Sequence, residues 1–140
     1  MTELPAIEAL LPHRGAMRFL DQAIELGPEH AVCTGQVRPE NPFLDDGILD
    51  PLALIEFIAQ AAAALVSGQD PDRGPVRGWL VAGRNLELAD GSVRVGDVLE
   101  VMVDQAARVG DFASFDGIVR CRGVTLAHGN VKVFRAAEET

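Results

Sequence analysis

At 140 residues, 48% of them hydrophobic and 24% charged, the chain can bury one substantial core as a globular domain spanning residues 1–140. A formal charge of −9 argues against nucleic acid, whose phosphates call for a basic surface, and against an anionic membrane. No apolar run reaches the roughly 20 residues of a bilayer span, and the N-terminus lacks a basic stretch followed by an apolar one, so the expected location is cytoplasmic.

In chain order, "LPAIEALLP" suits one or two helical turns with Leu4, Ile7, Leu10 and Leu11 on one side. From Met17 to Leu26 the pattern is strand-like, and His30 to Val37 alternates as a half-buried strand does. "RPENPFLDDGIL", with its prolines and glycine, reads as irregular chain. Asp50 then caps a helix whose first position suits Pro51, and that helix runs to about Val66. Ser67–Pro75 is a loop, "VRGWLVAGRNLEL" a strand and Ala89–Asp97 a second loop.

Three more strand-like runs follow: "VLEVMVDQAARV", "FASFDGIVRCRG" and "VTLAHGNVKVFR". In the middle run Phe115, Val119 and Cys121 share one face, and Asp116, Arg120 and Arg122 share the other. In the last run His128-Gly129-Asn130 supplies a tight turn, and His30 and His128 are expected at solvated, turn-like places. Cys33 and Cys121 lie in strand-like segments without CxxC spacing. They read as small apolar side chains rather than a disulfide or a metal site, and no cofactor is expected.

A helix apolar all round must be covered on most of its surface. One antiparallel sheet curled about it does so, and the expected class is α+β. Within that helix Glu56 is out of place, because apolar surroundings disfavour a carboxyl anion. Gln60 follows at the i+4 position, on the same face, where its amide can orient the carboxyl group. A structural glutamate at the mouth of the helix and a site-lining acid are both consistent with the residues alone.

"LLPHRGAMRFLDQAIEL", "NPFLDDG", "ALIEFIAQAAAAL", "WLVAGRNLEL" and "VRVGDVLEVMV" together resemble the hotdog-fold 3-hydroxyacyl-ACP dehydratases. The finer likeness is to the dehydratase-like hotdog proteins of aryl-polyene and related polyketide clusters. The resemblance implies a sheet wrapped around a central helix, paired edge to edge into a dimer. It implies a site between subunits, with a helix carboxylate from one and a loop histidine from the other. Matched by motif, the carboxylate is Glu56, and Gln60 matches the glutamine one turn on. Such a site would remove a proton α to a thioester carbonyl and expel the β-hydroxyl as water.

The family histidine is missing. Where it belongs the chain reads "NPFLDDGILDP", and pairing Pro42-Phe43 with the family's Pro-Phe puts Gly47 near its position. Asp45 and Asp46 occupy that loop and offer a second carboxylate from a facing subunit, or simply form the turn before Gly47. Backbone N–H groups around Gly47 are candidates for the thioester oxygen, with Phe43 beside them. His13, in "LPHR", matches a family position that is not the catalytic one, and serves either as a substitute or as an orienting residue.

Three readings stay open. The chain is a dehydratase-like lyase with an altered pair of groups, a non-catalytic subunit that dimerises with an active hotdog dehydratase, or a hotdog acyl-thioesterase. The implied partners are an acyl thioester on acyl carrier protein or coenzyme A, and a second hotdog subunit, identical or different. A carrier that is itself acidic would need a local basic patch, for which Arg73, Arg77 and Arg84, with Arg14 and Arg18, are the candidates.

Overall fold

The computed structural model describes residues 4–70, 78–88 and 92–135. Its elements are α1 (Ile7–Leu10), a 3-10 turn (Gly15–Met17), β1 (Gln22–Leu26), β2 (His30–Gln36), β3 (Leu44–Asp45) and β4 (Ile48–Leu49). Then come α2 (Ala53–Gln69), β5 (Gly78–Leu88), β6 (Val98–Val109), β7 (Phe112–Cys121) and β8 (Val124–Arg135).

The long helix starts where Asp50 allows it to. The Asp50 carbonyl accepts the first helical N–H, from Ala53 at 2.9 Å. Its side-chain Oδ1 accepts the N–H of Leu52 at 2.9 Å, so an otherwise unpaired donor is satisfied. Pro51 and Leu52 form the turn leading in, and α2 extends one turn beyond Val66.

Six strands form one antiparallel sheet in the order β1-β2-β6-β7-β8-β5. Alternation puts Ala31, Cys33, Val101, Val103, Phe115, Val119, Ala127 and Val131 on one face, all buried. Register lines them up in rows, such as Cys33 beside Val101 beside Val119. Helix α2 lies against that face, touching β1, β2, β6, β7 and β8. Leu54, Phe57, Ile58, Ala61 and Leu65 are buried with it in one continuous core. This is the sheet-around-a-helix arrangement, α+β, that the resemblance implies.

Two glycines let the layers approach. A Cβ on Gly117 would stand 2.4 Å from Ile58 Cγ2, so its absence makes room for the helix. A Cβ on Gly35 would stand 2.2 Å from the carbonyl oxygen of Phe19, so there two backbones lie in contact.

Several expectations need correcting. His128-Gly129-Asn130 is not a turn: β8 runs straight through it, and the reversal comes at Arg122 and Gly123, both left-handed at φ 51° and 77°. "RPENPFLDDGIL" contains the short β3–β4 hairpin. Leu4 is exposed, whereas Ile7, Leu10 and Leu11 are buried. His30 and His128 sit on strands rather than in turns; their side chains are solvated as expected, each with a carboxylate beside it. His128 Nε2 is 2.9 Å from Glu87 Oε2 across β8 and β5.

His30 lies on β2 between carboxylates of both neighbouring strands, with Nδ1 2.7 Å from Asp104 Oδ1 and Nε2 3.3 Å from Glu25 Oε2. The hydrogen bond to Asp104 chiefly, and Glu25 after it, raise its pKa. A raised native pKa means the stabilisation is full below the unfolded value and fades as pH rises through the native one. Substituting His30→Ala is therefore expected to lower urea stability at pH 5.5, by no more than about 1 kcal/mol for so exposed a group, and to do nothing at pH 9. An equal loss at both pH values would rule out the charge effect.

Candidate functional site

Glu56 stands in the first turn of α2 and is half-buried, as Ile55 and Ala59 are: its side chain keeps 30% of its exposure. The expected all-apolar surround is thus open on one side. Gln60, one turn on, is fully buried. Its Oε1 accepts the Phe19 N–H at 2.9 Å, and its Nε2 donates to the Met17 carbonyl at 2.8 Å and to Glu56 Oε1 at 3.1 Å. A buried amide placed this way satisfies two main-chain groups of the segment before β1 and holds one carboxyl oxygen.

That grip brings in a residue far away in sequence. His13 Nε2 lies 3.6 Å from Glu56 Oε1, while Nδ1 is buried with no hydrogen-bond partner. Burial lowers the His13 pKa; Glu56 opposes this and Arg14 adds to it. Arg14 itself is folded back, donating to the carbonyls of Leu11, His13 and Glu8 and so closing α1. Arg18 pairs with Glu8, and Arg38 pairs with Asp21. Arg14 and Arg18 thus serve the fold of this segment.

Phe43 meets Phe19 edge to face at 5.8 Å, and Phe19 in turn packs on Phe57 at 5.1 Å, which gives the site an aromatic flank. Asp45, Asp46 and Gly47 form the exposed tip of the β3–β4 hairpin, with Asp46 and Gly47 left-handed at φ 52° and 76°. Among the described residues none of these three bonds to Glu56 within the chain. Arg73 and Arg77 lie outside the described residues. Arg84 is on β5 opposite Asn130, and its side chain is likewise outside them.

Among the described residues no cluster of His, Cys, Asp or Glu is placed to hold a metal ion, and no helix is long and apolar enough to cross a membrane. Cys33 and Cys121 are free and buried, and desolvation pushes the Cys33 thiol up to about 12, which makes it inert as a nucleophile. The chemistry available therefore centres on one carboxyl group, with the Gln60 amide hydrogen-bonded to one of its oxygens and the His13 imidazole 3.6 Å from the same oxygen. The sequence pointed to Glu56 and Gln60 through their spacing. His13 was a candidate through its motif position alone, with no spacing to place it beside Glu56.

Comparison with known proteins gives four results. A family model for ApeP-like proteins, described as ApeP dehydratase, matches residues 5–140. The 3-hydroxyacyl-[acyl-carrier-protein] dehydratase FabZ of Streptococcus pyogenes serotype M49 (strain NZ131) is 24% identical over 136 residues, 94% of this chain and 96% of its own. Among solved structures, the dehydratase heterocomplex ApeI:P from Xenorhabdus doucetiae superposes with a TM-score of 0.85 at 26% identity, covering 97% of this chain and 94% of that one. A hypothetical thioesterase with coenzyme A from Streptococcus pneumoniae TIGR4 shares the fold, with a TM-score of 0.65 at 12% identity over 85% of this chain and 88% of its own.

Proposed function

Because the chain belongs to the ApeP-like dehydratase family, we propose that it contributes Glu56 to a dehydratase site shared by two hotdog subunits. The substrate is a 3-hydroxyacyl thioester, and the second subunit, a histidine-bearing hotdog protein, supplies the base. One observation carries this reading: Glu56 is held at the open end of α2 by Gln60, while the hairpin tip that should carry the family histidine presents Asp45, Asp46 and Gly47. Half of a two-group site is built, and half is absent from this sequence.

The division of labour follows from the chemistry. The partner's imidazole takes the proton α to the thioester carbonyl, the β-carbon–oxygen bond breaks, and a carbon–carbon double bond forms. Glu56, protonated, gives its proton to the departing hydroxyl, which leaves as water. The heterocomplex state of the similar ApeI:P dehydratase supports a mixed pair. The sheet has two edges for such pairing, β1 and β5. Strand β1 has five residues, whereas β5 is 11 residues long, so β5 is the edge that a partner strand would extend.

Purifying the chain alone, and together with the hotdog dehydratase encoded beside it, tests the reading through dehydration of 3-hydroxyacyl-ACP. The expected result is a stable mixed complex that dehydrates, with neither activity nor thioester hydrolysis from this chain by itself. Full dehydratase activity of the chain alone would overturn the shared site. Hydrolysis of the thioester in place of dehydration would overturn the reaction class.

A further inference from the structure

We propose that His13 is a positioning residue for Glu56: together with Gln60 it fixes Oε1 of the carboxyl group, and so assigns the proton exchange with substrate to Oε2. The chemistry rests on the shared-site reading above. The geometry lies wholly within this chain.

Both nitrogens converge on the same oxygen, Gln60 Nε2 at 3.1 Å and His13 Nε2 at 3.6 Å, and among the described residues no donor reaches Oε2. The Gln60 amide cannot be turned over without cost, since its Oε1 already accepts the Phe19 N–H and its Nε2 already donates to Met17. Its NH₂ group must face Glu56.

The tautomer of His13 follows from the same kind of reasoning. A neutral imidazole carries one ring proton. On Nδ1 that proton would be a buried donor without a partner, and the lone pair of Nε2 would face the carboxyl oxygen. On Nε2 the proton points at Glu56, and only an acceptor is left unpaired. The second arrangement costs less. Burial keeps the ring neutral against the opposing pull of Glu56. Arg14, the other charge beside it, is turned onto main-chain carbonyls, and Arg18 is occupied by Glu8.

When Oε2 surrenders its proton, the negative charge spreads to Oε1, where the Gln60 amide already donates and His13 Nε2 stands 3.6 Å away, close enough to shorten onto the charge. Charge develops into a prepared place with little rearrangement. His13 acts through Glu56 and need not touch the substrate.

The test is carboxyl ¹³C NMR of Glu56 across pH in the purified chain, for wild type, His13→Ala and His13→Gln, with ¹⁵N shifts reporting the His13 tautomer in the wild type. The glutamine amide nitrogen reaches close to where imidazole Nε2 sits, so His13→Gln keeps a donor. Expected are an Nε2–H tautomer at neutral pH, a Glu56 titration moved to higher pH in His13→Ala, and its return towards wild type in His13→Gln. In the mixed complex the Glu56-dependent limb of kcat should move the same way. kcat itself should fall by up to about tenfold with KM little changed, the loss of a polar group 3.6 Å from the carboxyl oxygen that takes up charge. A Glu56 titration unchanged in His13→Ala, or an Nδ1–H tautomer in the wild type, would overturn the proposal; the tautomer reading holds even where a variant misfolds. A wild-type complex that fails to dehydrate, with the NMR differences present, overturns the shared site and not the role of His13.

Discussion

Replacing Glu56 by Gln is expected to lower kcat of the mixed complex by about 10² to 10⁴-fold, the usual worth of a positioned general acid. The amide is nearly isosteric, and it still offers an oxygen to the Gln60 amide that holds Oε1 at 3.1 Å. What it cannot do is give a proton to a departing hydroxyl. Because the side chain is partly exposed and outside the packed core, the fold and the complex should survive the change. Steady-state kinetics beside a melting curve measure this. Activity within about threefold of wild type, from an intact complex, would remove Glu56 from the chemistry.

The second large effect concerns stability. Gln60→Leu keeps the volume roughly and removes every polar contact of a fully buried side chain. The Phe19 N–H and the Met17 carbonyl both lose their partner. Each orphaned group costs about 1–3 kcal/mol where water cannot reach it, so the expected loss is about 2–4 kcal/mol by urea denaturation. The segment carrying His13 is held to α2 by these bonds. Its amide hydrogens around Phe19 should therefore exchange faster by more than the global loss predicts. A loss below about 1 kcal/mol would mean that water replaces the amide at these groups.

Much of the architecture could be read from periodicity. The boundaries of β6, "VLEVMVDQAARV", coincide with the alternating run, because a half-buried strand must alternate. Glu56 and Gln60 were legible as one helix face, since four residues make one turn. The turn placed at His128-Gly129-Asn130 was not there. Gly129 pairs across the sheet with Gly117, the residue that admits Ile58, and lies within the unbroken strand β8 instead of reversing the chain. The actual reversal at Arg122 and Gly123 puts an arginine in a left-handed conformation, which propensity argues against. The Asp46-Gly47 hairpin did carry its signal, a two-residue turn suited to left-handed residues, but the prolines nearby masked it. The meeting of His13 with Glu56 was beyond any local pattern. It depends on bonds from Gln60 to groups 41 and 43 residues earlier.

The missing side chain at Gly35 decides how freely the rest of the surface can vary. There the main chain of Phe19 rests on the main chain of β2, and Gln60 holds the same segment from the helix side. The spacing between His13 and Glu56 is thereby set largely through peptide groups, which every amino acid carries. Glu100, Asp104, Arg120 and Lys132, on the outer face of the sheet, take no part in that chain of contacts. Surface chemistry and site geometry are separately adjustable. The outer face can be rewritten, and the acid stays where it was.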